Sequence, residues 1–270
     1  MAVKNSTISK EKKAEYKKKI QEFCLMDDTF MSKVFEDKKC TEELLRIILE
    51  KDDLKVKPVK TQYVIDNLQG HSIRLDICAA DGKGKIYDIE IQNDNSGAVP
   101  KRARYNSSII DANELEKGED YSKLPEIYII FITKNDILGG NKLIYHIDRT
   151  IKEMRNCYFG DEAHIIYIYS QKKSRTELGK LMHDFYCKNA DEMYNKTLSK
   201  RVKHFKENIK GVNEMCAIMD ELKKEAVIET RLEDIKNIMN NFDVTVEKAM
   251  STLKISKDDY AMYIEMVNKK

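Results

Sequence analysis

The chain has 270 residues, 41% of them hydrophobic and 35% charged, with 48 basic against 46 acidic side chains and a formal net charge of +2. This composition excludes a disordered or fibrous chain and is enough for one sizeable core with an appendage. A charge so close to balance does not by itself argue for a polyanionic partner, so the distribution of charge carries that question.

Lys10, Lys12, Lys13, Lys17, Lys18 and Lys19 form a basic run within an N-terminal helical segment, residues 1–24. Such a run either contacts phosphates or lies on a solvated helix face. The N-terminus lacks the apolar stretch of a signal peptide, and no span reaches transmembrane length, so a cytoplasmic protein without a membrane segment is expected. The six cysteines include no close pair, which excludes the usual zinc spacing and makes a disulfide framework unexpected. The histidines are scattered, and His183 and His204 read as packing or surface residues. No Gly-rich phosphate loop is present, against an ATP- or NAD-dependent reaction.

Residues 28–51 read as mainly helical. Asp28 stands at a helix start, and Thr41 to Glu50 forms a further helix. With Thr41 as N-cap, Glu42 and Glu43 would fall in the first turn, where acids suit the helix dipole. Strands are expected over 61–67, 72–79 and 85–92.

The second and third strands carry the chemistry. In one, Ile73, Leu75 and Ile77 share a face, which leaves Arg74 and Asp76 on the other. In the next, Tyr87, Ile89 and Ile91 share a face opposite Asp88, Glu90 and Gln92. A three-residue loop centred on Gly82 or Lys83, with a glycine in the left-handed position, aligns the two apolar faces. Asp76, Glu90 and Gln92 then emerge together, as a divalent-metal site requires. The same alternation also describes a half-exposed hairpin with a solvated polar face, and the pattern alone does not separate the two.

The segment from Lys101 to Glu116 reads as a helix with Pro100 near its first turn, and with Tyr105, Ile109 and Ala112 along one stripe. Arg102 lies one turn before Tyr105. The pair either flanks the polar face of the hairpin or divides into a core tyrosine and a solvated arginine. Residues 127–133 are a continuous apolar run, expected of a strand buried on both faces, and 163–169 repeat that character. Beyond Ser174 helical stripes take over: Leu178, Leu181, Met182 and Phe185, then Met215 to Leu222, then Ile235 to Phe242. Lys196, Lys200, Arg201, Lys203, Lys206 and Lys210 form a second basic run. Two short helices, 245–250 and 256–266, close the chain. They read as a helical appendage for assembly, or as a helix-turn-helix on DNA.

The order Asp76, then Glu90-Ile91-Gln92, then Lys101-Arg102-Ala103-Arg104-Tyr105 resembles the PD-(D/E)XK nuclease superfamily. Within it, the chain is similar to the Rpn-type recombination-promoting nucleases, also described as PD-(D/E)XK family transposases. Arg74-Leu75-Asp76-Ile77, the Ile-Tyr-Asp-Ile-Glu-Ile-Gln run, Gly118 to Pro125 and the opening Asp27 to Phe35 carry the likeness.

The resemblance, over roughly residues 25–170, implies an α/β fold: a restriction-endonuclease-like PD-(D/E)XK core with a mixed central sheet flanked by helices. The nuclease-like domain is expected over 25–197, and an all-helical C-terminal extension over 198–270. It implies a Mg2+-dependent DNA endonuclease (Mn2+ as a substitute) linked to recombination or mobile elements. Asp76, Glu90 and the carbonyl of Ile91 would hold the metal. Gln92 stands where the superfamily usually has Lys and would position water, with Lys85 or Arg102 as sources of the missing positive charge. Arg102 and Tyr105 would meet DNA. Asp28 and Glu43 are candidates for a further acid, though each is also explained as a helix-start residue. The alternative is a catalytically weak or inactive nuclease fold that binds DNA or self-assembles, and a homo-oligomer through the helical extension is a further expectation.

Overall fold

The computed structural model describes residues 8–67 and 70–268, so residues 1–7 of the N-terminal segment lie outside it. The chain divides into two compact units, one of residues 18–211 and one formed by the residues up to 17 together with those from 212 onward.

Helix α1 (Lys10–Glu22) opens the described chain, followed by α2 (Asp28–Phe35) and α3 (Lys38–Leu49). The N-cap of α3 is Asp37, not Thr41: the Asp37 carboxylate accepts the N–H of Lys39 at 2.9 Å. Thr41 is buried inside the helix and donates its hydroxyl to the carbonyl of Phe35 at 2.7 Å. Glu42 is also buried, and it accepts the Val56 N–H at 3.1 Å and pairs with Arg46 at 3.3 Å. Burial against the following loop, rather than dipole compensation, sets its place.

Six strands follow: β1 (Lys60–Ile65), β2 (Ile73–Ala80), β3 (Ile86–Gln92), β4 (Ile127–Thr133), β5 (Ile144–Ile147) and β6 (Ala163–Tyr169). They form one mixed sheet in the order β1-β2-β3-β4-β6-β5. The β1–β2, β2–β3 and β5–β6 pairs are antiparallel, and β3–β4 and β4–β6 are parallel. Helix α4 (Pro100–Glu114) supplies the crossover that a parallel β3–β4 pair requires. The bounds of β4 and β6 coincide with the two apolar runs, because β4 lies between two strands and is covered on both faces. The edge strand β5 was not anticipated; it is four residues long and half exposed.

The β2–β3 hairpin closes through Gly82-Lys83-Gly84, with Gly84 at φ 88°. Asp81 braces the turn by accepting the N–H groups of Lys83 at 2.8 Å and Lys85 at 3.0 Å. The expected register holds, with Ile77 opposite Ile89 and Cys78 opposite Asp88.

The face of β3 that carries Asp88 and Glu90 is not solvated, however, since every residue from Ile86 to Ile91 is buried. Ile86, Ile129 and Phe131 from the sheet pack with Ala103, Ile109 and Ile110 of α4 over it. On β2, the residues that join this cluster are Ile73, Leu75 and Cys78. A spacing of two and then three overturns the expected shared face of Ile73, Leu75 and Ile77. The alternation breaks at Asp76, between the Thr61–Ile77 and Tyr63–Leu75 pairs, where Gln62 of β1 takes φ 50°.

The same unit continues with α5 (Glu177–Asp184) and α6 (Lys196–Lys206). Two members of the second basic run are structural. The ammonium of Lys206 is buried and donates to the carbonyls of Gln21 (2.9 Å), Phe23 (2.6 Å) and Lys188. Arg201 donates to the Lys33 carbonyl at 3.2 Å. The Lys206 ammonium, bonded to three carbonyls, is not free for phosphate.

In the other unit, the second and third Met-rich stripes belong to one 34-residue helix, α7 (Ile209–Phe242), which is followed by α8 (Val246–Thr252) and α9 (Tyr260–Asn268). Ile235 packs with Ala249, Met250, Ile255 and Tyr263. Among the described residues, no helix is long and apolar enough to cross a membrane.

Candidate active site

Strands β2 and β3 stop pairing beyond Ile77–Ile89, and the side chain of Asp76 takes over the backbone donor released there: its Oδ2 accepts the Ile91 N–H at 3.0 Å. Its Oδ1 receives Gln62 Nε2 at 3.4 Å, and the same amide nitrogen reaches Asp28 Oδ1 at 2.7 Å. Asp28 is thus drawn to the edge of the site through Gln62, and Arg74 lies 3.8 Å from it. Asp28 is the first residue of α2, whose N-cap is Asp27.

Glu90 is fully buried and its two oxygens differ. Oε2 receives Gln92 Nε2 at 3.1 Å and the guanidinium of Arg102, whereas Oε1 has no donor. Asp88, also fully buried, accepts Asn106 Nδ2 at 3.0 Å on Oδ2 and likewise leaves Oδ1 without a donor. Arg102 and Asn106 stand four residues apart on α4 and so present one face to the two acids. The start of α4 holds this geometry. Pro100 occupies its first turn, and Arg102 donates a second bond to the Gly97 carbonyl at 2.8 Å.

Three acids so close, with one guanidinium bonded among them, resist ionisation. Burial holds Glu90 well above the ordinary carboxylate range, and the charges of Asp88 and Asp76 push the same way against Arg102. Burial likewise raises Asp88, opposed by the Asn106 hydrogen bond. Asp76 is raised by burial and by Asp28, against the Ile91 N–H, Arg102 and Arg74. Asp88 and Glu90 each leave a buried carboxylate oxygen without a donor, and oxygen ligands of this kind suit a hard divalent cation.

These groups adjoin a cavity of about 960 Å³ whose wall includes Asp76, Gln92, Arg102, Arg74, Arg104 and Tyr105. The Tyr105 hydroxyl donates to the His71 carbonyl at 2.5 Å and receives Asn67 Nδ2 at 3.2 Å, so the ring is anchored at the cavity edge. Two of the sequence candidates lie elsewhere. Glu43 faces a separate cavity and accepts Asn195 Nδ2 at 3.0 Å. Lys85, at the opposite end of β3, is paired with Glu126.

The sequence reading placed Asp88 on the polar face without a role and did not mark Asn106, Gln62 or Gly97. Two signals were present: the period-two relation of Asp88 to Glu90, and the one-turn spacing from Arg102 to Asn106. Nothing local marks Gln62.

A second group of mixed ligand types, His183, Asp184 and Cys187, occurs at the end of α5. The Cys187 sulfur lies 3.4 Å from Nδ1 and 3.9 Å from Nε2 of His183, against the ring rather than along either lone pair. Both Asp184 oxygens accept backbone N–H groups, from Tyr194 at 2.8 Å and Asn195 at 2.7 Å. This group braces a turn.

Comparison with curated proteins finds no match, and comparison with solved structures finds none either. The mixed six-stranded sheet, the flanking helices and the helical C-terminal region are consistent with a PD-(D/E)XK nuclease fold. The family model of the PD-(D/E)XK nuclease family transposases matches residues 28–241, and the chain belongs to that family.

Proposed function

We propose that this protein is a divalent-metal-dependent DNA endonuclease that hydrolyses phosphodiester bonds in recombination or the movement of mobile DNA. One observation supports the reading: Asp76 and Glu90 lie on neighbouring strands just past the point where β2 and β3 stop pairing, and Asp76 lines a cavity rimmed by cations. Asp76 and Glu90, with the Ile91 carbonyl, would hold Mg2+ or Mn2+. The all-oxygen donor set, in which buried carboxylate oxygens outnumber their donors, fits such an ion. When bound, the cation would offset phosphate charge and lower the pKa of water.

The chain's own residues would do the rest. Gln92 would orient the attacking water through its amide. Arg102 would present a planar fork to a phosphate, a match that an ammonium lacks. Arg74, Lys101 and Arg104 on the same wall would neutralise the nucleic-acid backbone without reading sequence, and Tyr105 would flank it. Asp28, tied to Asp76 through Gln62, would be the further acid. The protein would act in the cytoplasm, with the helical C-terminal region as its assembly surface.

The test is incubation of single- and double-stranded DNA with Mg2+ or Mn2+ and the wild-type protein, beside Asp76→Ala and Glu90→Ala. Metal-dependent cleavage that both variants lose supports the reading; no cleavage under any metal rejects it. Gln92 favours one second reading, a catalytically weak or inactive nuclease fold that binds DNA or self-assembles. Its amide brings no positive charge and is hydrogen-bonded to Glu90. DNA that is retarded but uncut would select that reading.

A further inference from the structure

Glu90 contributes nothing to the cavity wall; Arg102 and Gln92 do, and both donate to the same oxygen of Glu90. Glu90 has a fully buried side chain, whereas that of Arg102 is one-third exposed. The oxygen that these two cavity-lining side chains reach is Oε2, so a cation taking Glu90 from the cavity side would compete with the guanidinium for it.

We propose that Arg102 is a placeholder cation. It holds Glu90 Oε2 while no metal is bound, would give up that oxygen to a divalent ion, and would then turn its freed fork to a phosphate in the cavity. This rests on the metal-dependent reading given above and adds a coupling to it: metal entry and phosphate capture use the same guanidinium in sequence.

Three features support the exchange. Arg102 keeps a second anchor, the Gly97 carbonyl at 2.8 Å, so release from Glu90 need not free the whole side chain. Its guanidinium lies 5.9 Å from the Phe131 ring, a face that holds a cation without competing for oxygen. Arg74, Lys101 and Arg104 on the same wall would draw an anion into reach of the released group.

A merely structural arginine and a placeholder predict opposite signs. If Arg102 only orients Glu90 as a ligand, its removal weakens metal binding, as the loss of outer-shell support does. If it occupies the metal's oxygen, its removal strengthens binding.

The experiment measures Mn2+ affinity by calorimetry or by the EPR signal of free Mn2+, for wild type, Arg102→Gln and Glu90→Gln. Alongside it, the affinity of a short DNA duplex is measured with and without Mn2+. The expected result is Mn2+ binding about fivefold tighter or more in Arg102→Gln, loss of binding in Glu90→Gln, and a Mn2+-dependent gain in DNA affinity confined to wild type. Equal or weaker Mn2+ binding by Arg102→Gln, with Glu90→Gln still abolishing it, overturns the exchange and leaves the metal-dependent reading intact. Absence of Mn2+ binding in wild type overturns both. Should Arg102→Gln fail to fold, Arg102→Met is read by the same rule, because it keeps a long side chain and removes the cation.

Discussion

The Asp76 carboxylate accepts the backbone N–H of Ile91 at 3.0 Å, so the strand that carries Glu90 also orients the acid on its neighbour. One bond thus serves both fold and site. Asp76→Asn keeps an oxygen that can accept this N–H but loses the charge; it should fold with a near-wild-type melting temperature and lose cleavage. Asp76→Ala strands the buried donor and should cost about 1–3 kcal/mol as well. Thermal melts and a nuclease assay on the two variants separate the contributions. Equal stabilities would show that the Ile91 bond does not support the fold.

Gly97→Ala tests Gln92 without touching it. A Cβ at residue 97 would lie 2.1 Å from Gln92 Oε1 and 3.0 Å from its Cδ, so the amide must move. The obstruction is the far end of a flexible side chain, so the expected stability cost is about 1 kcal/mol or less. Activity should fall while DNA binding persists, because the Gly97 carbonyl remains in place for Arg102. Unchanged cleavage would remove Gln92 from the reaction.

Several of these relationships could be read from the sequence, and the reasons differ by element. The bounds of β4 and β6 followed from apolar runs that only a doubly covered strand tolerates, and the three-residue hairpin loop followed from matching two apolar faces. That register is what set Asp76 and Glu90 side by side as candidates. The fate of their face was not, because period-two alternation does not say whether a helix covers it. The Asp37 cap was missed because Thr41 is also a good capping residue, and only the burial of its hydroxyl against Phe35 decides between them. Asp28 reaches Asp76 through Gln62, 34 residues away in the chain and in a left-handed conformation, a tertiary relation with no local signature.

The Asn106 amide donates to the fully buried Asp88 at 3.0 Å. Asn106→Ala would remove this donor from a buried carboxyl and should destabilise the protein by about 1–3 kcal/mol. Asn106→Asp sets a fourth acid beside three that already resist ionisation, so at neutral pH it should lower the denaturation midpoint further than the alanine variant does. Equilibrium urea unfolding of both variants checks the order. The reverse order would mean that Asp88 gains no support from the Asn106 amide.

Acid sensitivity should also come from the unit that contains α7, where Asp220 bonds Lys12, Lys224 and the Tyr16 hydroxyl, the last two at 2.8 Å and 3.3 Å. The two lysines, bonded to the carboxylate and acting through their charge, depress its pKa to about 2, while burial opposes them. The folded pKa lies below the unfolded one. The group therefore adds stability above the ordinary carboxylate pKa, and that contribution is lost as pH falls through about 4 toward 2. Asp220→Asn should cost about 1 kcal/mol at neutral pH, the upper end for exposed ion pairs, since both lysines are partly in water. Melting curves from pH 7 to pH 2 should show the wild-type advantage shrinking across that window and vanishing at its acid end. An advantage that stays constant with pH would show that the Asp220 carboxylate contributes through packing rather than charge.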